Sequence, residues 1–123
     1  MIENVRISEK AKNQLITLKR RTGIQNWNVL CRWALCLSLK EKSPPPIENI
    51  TTDSSVEMSW KTFAGVDENL YLSLIIHRAR MEGVKVNKLN LNNYFKLHLH
   101  RGISYLNGAP TDSIEKFLAL STK

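Results

Sequence analysis

Apolar positions recur at helical spacing along most of the chain. Ile7, Ala11, Leu15 and Leu18 repeat three or four residues apart, Ser8 stands where an N-cap belongs, and Gly23 can take the left-handed conformation that closes a helix. These residues predict a first helix. Asn26 caps a second, whose stripe is Trp27, Leu30, Cys31, Ala34 and Leu35. Ser43-Pro44-Pro45-Pro46 forbids its continuation, because proline lacks the N–H that a helix needs and clashes with the preceding turn. An exposed loop rich in Pro, Ser and Thr is expected at about 43–59, within which Val56, Met58 and Trp60 alternate with polar residues as a short strand does. Asp67 caps a third helix that is apolar almost all round through Leu70, Leu72, Leu74, Ile75, Ile76 and Ala79, a pattern that puts it at the centre or at a subunit interface. A fourth near 92–106 offers Phe95, Leu99, Ile103 and Leu106, and a last one begins at Asp112 with Glu115 as its capping-box partner. The expected fold class is all-α, about five helices with minimal β, in a single domain over 1–123.

A chain of 123 residues can bury about two-thirds of its unfolded surface around one core. The longest apolar run, around 70–76, falls well short of the ~20 residues of a membrane span, and Met-Ile-Glu-Asn-Val-Arg has no signal-peptide character. No membrane partner and a cytoplasmic location are expected. Cys31 and Cys36 lie roughly 140° apart around one helix, so they do not bridge each other, and both read as small buried hydrophobes.

Charge changes the picture more. The formal net charge is +7 and the cations are segregated. From Arg6 to Lys42 nine Lys or Arg face two acids, and from Arg78 to Arg101 six face Glu82 alone, whereas 43–68 holds Lys61 against five acids. Two basic blocks around an acidic middle suit a surface made for a polyanion. Lys19-Arg20-Arg21 at the end of the first helix exceeds what complementing the helix dipole requires.

Catalytic patterns are missing where they would be expected. The five glycines are scattered singly, without the clustering that surrounds a phosphate with backbone N–H groups. His98 and His100 diverge by ~200° on a helix, so they do not start a zinc site. No catalytic residue, metal or cofactor is assigned. The beginning of the chain, Val5-Arg6-Ile7-Ser8 and then two helices around a glycine turn, follows the order of a ribbon-helix-helix DNA binder, although few side chains of the strand could read bases.

"VRISEKAKNQLITLKRRTGIQNWNVLCRWALCLSL", the SPPP break and "GVDENLYLSLIIHRARMEG" together resemble the DndE family, the small E component of the Dnd DNA phosphorothioation system, over the whole length. The resemblance implies a compact helical variant of the ribbon-helix-helix theme that assembles as a homotetramer and binds double-stranded DNA with a preference for nicked duplex. It also implies partnership with other Dnd proteins, among them an iron–sulfur component and an ATPase, to which the sulfur chemistry belongs. No family motif assigns the DNA contacts. The charge pattern assigns them to Arg6, Lys10, Lys12, Lys19, Arg20, Arg21, Arg78, Arg80, Lys85 and Lys88. Two other functions stay open: a scaffold that binds the other Dnd proteins, its basic surface meeting acidic partners, and a ribbon-helix-helix type repressor, which rests on fold analogy alone.

Overall fold

The structure is a computed structural model and describes residues 2–109. Strand β1 (Asn4–Arg6) leads into α1 (Glu9–Thr22) and α2 (Trp27–Lys40), and a long loop returns to β2 (Glu57–Ser59). A one-turn helix α3 (Trp60–Ala64) and a 3-10 turn then precede α4 (Glu68–Met81) and α5 (Lys88–Gly108). The fold is mostly helical with one two-stranded sheet, and the four long helices stand where the periodicity placed them. The helix expected from Asp112 lies outside the described residues. Helix α3 escaped the sequence pattern because five residues are too few to show a period.

Local chemistry explains the helix ends. The Ser8 hydroxyl accepts from the Ala11 N–H at 3.1 Å and so caps α1, which Gly23 ends at φ 76° while its N–H returns to the Lys19 carbonyl. Asn26 and Asp67 occupy the N-cap positions of α2 and α4, but neither side chain makes a cap hydrogen bond. The strand expected from alternation is shorter than Val56 to Trp60. Ser59 caps α3 by accepting from the Thr62 N–H at 3.1 Å, which turns Trp60 into the first residue of a helix.

β1 and β2 pair antiparallel with Val5 opposite Met58 and Arg6 opposite Glu57. One face of this ribbon is apolar, and it seats Val5, Val56 and Trp60 on the core. Trp60 stacks on Phe63 at 5.1 Å between centroids, and both rings meet Phe95 of α5 edge-on at 5.4 and 5.3 Å. The centre of the molecule is the crossing of α2 with α5, where Leu30, Cys31, Ala34 and Leu35 meet Leu91, Leu99 and Ile103. Gly102 permits that approach, since a Cβ there would lie 1.8 Å from the Ala34 carbonyl oxygen.

Of the two places expected for the third apolar helix, the centre or a subunit interface, the centre is excluded. That helix, α4, buries Ile75 and Ala79 and leaves Leu70, Leu74 and Met81 exposed, Met81 by 70%. The reading of Cys36 as buried is also corrected. Cys31 is buried and its thiol is pushed up to about 12 by that burial, while Cys36, one helical step past Leu35, is turned to the surface.

Helix α2 ends at Lys40, ahead of the proline run, and carbonyls orphaned there are satisfied by two arginines from other helices. Arg101 donates to the Ser38 carbonyl at 2.9 Å and the Ser43 carbonyl at 2.8 Å. Arg78 donates to the Leu39 carbonyl at 2.6 Å and to that of Glu41. Arg78 also pairs with Glu82 at 2.8 Å, and the Tyr94 hydroxyl donates to the same carboxylate. Burial works to raise the Glu82 pKa, but Tyr94 and Arg78 outweigh it and hold the carboxyl below its usual range.

Candidate nucleic-acid interface

Helix α1 carries the first basic block, and its geometry sorts the cations. Ala11, Leu15 and Leu18 face the core, while Lys12 and Lys19, seven residues apart, share one flank. Lys10 is two positions from Lys12 and so falls on the opposite flank, with exposed Arg20 between the two on the solvent side. The Lys12 ammonium donates to the Ser55 hydroxyl at 2.9 Å, and the Lys19 ammonium sits 3.6 Å from the centroid of Trp27.

That flank borders a groove of about 450 Å³. Its lining comes from Lys12 of α1, the turn and first residues of α2 (Gln25, Asn26, Trp27, Asn28), the ribbon (Val56, Glu57, Met58) and Thr62. Helix α2 brings no acid to its first turn, so the positive end of its dipole meets the groove unopposed. Glu57 is the one carboxylate in the lining, and Arg6 faces it across the ribbon at 3.9 Å. Cations, amides and an indole thus converge where Gly23 turns the chain.

A second groove, of about 550 Å³ between α1, α5 and the loop after α2, is lined by Lys10 and by Arg101, which is buried and committed to Ser38 and Ser43, against Glu9, Glu48 and Asp53, and is less suited to a polyanion. The remaining cations have varied employment. Arg21 donates to the carbonyls of Asn107 and Ala109, each at 2.7 Å, and so ties α1 to the end of α5. Arg78 is half-buried and committed to the end of α2. Arg80 and Lys85 are exposed, and Lys88 forms an exposed pair with Glu3 at 3.2 Å. The structure therefore brings Lys12 and Lys19 together with Arg6 nearby through Glu57, and it holds Arg78 in a separate structural role. Gln25, Asn26, Trp27 and Asn28 were not singled out as polar contacts from sequence. Their signal was their place directly after the glycine turn that follows the cationic run.

Ser38, His98 and Glu82 have the composition of an acyl-transfer triad. Ser38 Oγ lies 2.8 Å from His98 Nδ1, and His98 Nε2 lies 3.8 Å from Glu82 Oε1. Arg101 Nε donates to Ser38 Oγ at 2.9 Å, which leaves the serine hydroxyl free to donate to Nδ1 and puts the imidazole proton on Nε2, facing Glu82. Both Ser38 (0% exposed) and His98 (1%) are sealed from solvent, so the trio joins α2, α5 and the C-cap of α4 rather than meeting a substrate. His98 and His100 point to different neighbours, His100 Nε2 accepting from the Ser8 N–H at 3.1 Å. Among the described residues no group of His, Cys, Asp and Glu could hold a metal ion, and no helix is long and apolar enough to cross a membrane.

The chain was compared with known proteins. The family model for DndE, described as DNA sulphur modification protein DndE, matches residues 4–113. The crystal structure of DndE from Escherichia coli B7A, involved in DNA phosphorothioation modification, is similar with a TM-score of 0.73 at 19% identity, covering 86% of this chain and 98% of that one. A DndE mutant with two glycines replaced by lysine, also described as involved in DNA phosphorothioation, is similar with a TM-score of 0.68 at 16% identity, covering 89% of this chain and 100% of that one. At such identities the structural likeness shows a common fold. None of the curated proteins compared with the chain matches it. The family model spans most of the sequence, and the chain belongs to the DndE family of DNA sulphur modification proteins.

Proposed function

We propose that the chain is a non-catalytic, cytoplasmic DNA-binding subunit of the DNA phosphorothioation machinery. In this reading it holds duplex DNA by its phosphates, prefers nicked duplex, and works beside the iron–sulfur component and the ATPase of the Dnd system. The observation that carries it is the flank of α1, where Lys12 lines a groove walled by amides and the acid-free start of α2, and Lys19 lies beside it over the Trp27 ring. Lys10 and Arg20 extend the positive surface around the helix. Each phosphate neutralised releases condensed counterions, a gain that is blind to sequence. Arg6, Arg80, Lys85 and Lys88 are further candidates, while Arg21 and Arg78 already donate to carbonyls.

Assembly as a homotetramer belongs to the same proposal. Val66, Leu70, Leu74 and Met81 recur along one side of α4 and its preceding turn and are exposed, an apolar stripe that a second copy would cover. Sedimentation of the free chain at micromolar concentration reads this, and a monomer contradicts it. Four copies would repeat the α1 cations four times over the assembly. In this reading the chain order β1, α1, α2 is a variant of the ribbon-helix-helix theme, with the difference that β1 pairs with β2 of its own chain.

The triple charge reversal Lys10→Glu, Lys12→Glu, Arg20→Glu tests the DNA assignment. None of the three side chains is in the core, so helical circular dichroism should be retained while duplex affinity at ~0.1 M salt falls by at least about tenfold. Unchanged affinity contradicts it. Native protein that binds no duplex favours a scaffold for the other Dnd proteins, and dependence on one operator sequence favours a repressor.

A further inference from the structure

We infer that the groove between α1 and β2 receives a single base released from the DNA stack, with the Trp27 indole as its platform and Lys12 and Lys19 on the flanking phosphates. The inference rests on the DNA-binding reading and specifies which part of the DNA enters the groove. Its volume of about 450 Å³ lies in the ~300–1,000 Å³ range of sites for whole small molecules, more than a phosphate alone would occupy. Its walls are also wrong for phosphate alone. Gln25, Asn26 and Asn28 are carboxamides, each carrying the donor and acceptor that base edges pair with; the Gln25 and Asn28 amides each donate one N–H to a carbonyl, of Gly23 at 3.5 Å and of Thr62 at 3.3 Å, and the Asn26 side chain makes no hydrogen bond to the start of α2.

The Lys19–Trp27 contact explains how the platform is both protected and available. In the free protein the ammonium covers the ring face at 3.6 Å. A nucleotide offers each partner a better one: its base gives the indole a π face, and its phosphate gives the ammonium a full negative charge. Lys19 therefore moves from ring to phosphate as the base takes its place. Lys12 is positioned for the neighbouring phosphate, and Arg6 offsets the repulsion that Glu57 would exert. In continuous duplex every base is paired and held by backbone on both sides and extraction is costly, whereas a base beside a break is freed of the backbone on one side and is extracted at lower cost. The groove is thus a device for telling interrupted from continuous duplex.

The test compares a labelled thymidine tetranucleotide with an abasic tetranucleotide of equal charge, by fluorescence anisotropy on the native chain. The native chain should prefer the base-bearing tetranucleotide by about tenfold, the scale of one base–aromatic stack. Trp27→Leu should abolish the preference, Trp27→Phe should keep part of it, and Lys19→Ala should lower the salt slope by about 0.7. Equal affinity of the native chain for the two probes, no binding of either, or a preference that survives Trp27→Leu overturns the inference. Because the native comparison decides by itself, failure of a Trp27 variant to fold does not rescue it. Salt-dependent binding of intact duplex alongside any of those results leaves the DNA-binding reading standing, and its absence overturns both.

Discussion

Gly102→Ala is expected to destabilise the protein by about 3 kcal/mol or more, a large share of the ~5–15 kcal/mol that holds a normal domain together. The added Cβ would stand 1.8 Å from the oxygen and 2.4 Å from the carbon of the Ala34 carbonyl. Those are backbone atoms in the middle of α2, so no rotamer change relieves the overlap, and α2 and α5 must separate along the crossing that forms the core. Gly108→Ala is the control, since a Cβ at that helical position meets nothing within 4 Å. It should be neutral or slightly stabilising, because alanine is the better helix former. Urea unfolding at pH 7 reads both. A loss below ~1 kcal/mol for Gly102→Ala would mean that the two helices do not approach in this way.

Acid is expected to destabilise the fold well before its carboxylates titrate. Burial, then the Arg101 and Arg78 charges, push the His98 pKa down from 6.5 to about 4. The imidazole is faced by Ser38 from α2, by Arg78 from α4 and Glu82 at its C-cap, and by Tyr94 and Arg101 from α5; Glu82 pulls the other way and is outweighed. Between pH 6.5 and about 4 the unfolded chain binds a proton there that the folded chain does not, so stability falls as pH falls. The contribution is fully present above 6.5 and is lost progressively toward 4, by a total of about 3 kcal/mol. His100, also lowered mainly by burial, acts in the same direction. Urea midpoints measured at pH 7 and near pH 4.5 should show a steep drop for the native chain and a shallower one for His98→Gln. A native midpoint that does not move across that interval contradicts the buried, neutral histidine.

What could be read in the sequence was what depends on near neighbours. Ser8 and Gly23 bound α1 by contacts within four residues, and the stripes of α1 and α2 needed only a period of 3.6. What depends on distant chain was hidden. Gly102 looks like any helical glycine until Ala34, far back in the sequence, is laid against it. Arg78 carries the same charge whether it meets a phosphate or the carbonyls at the end of α2, so the cationic pattern grouped it with DNA contacts while the fold gives it to α2. Cys36 lies among leucines in sequence yet one helical step from the buried stripe, which turns it outward. In the candidate interface the cations were legible as charge. The groove they border was not, because β2 and α3 reach it from across the long loop.

The most direct test of the central claim is the affinity of the native chain for intact and nicked duplex of one sequence, measured at a series of salt concentrations. If the α1 cations hold phosphates, log affinity should fall linearly with log salt, with a slope near −0.9 for each phosphate engaged, steep enough to report several contacts, and with tighter binding to the nicked form at every concentration. Weak binding with a slope near zero would show that the basic surface is not meant for DNA.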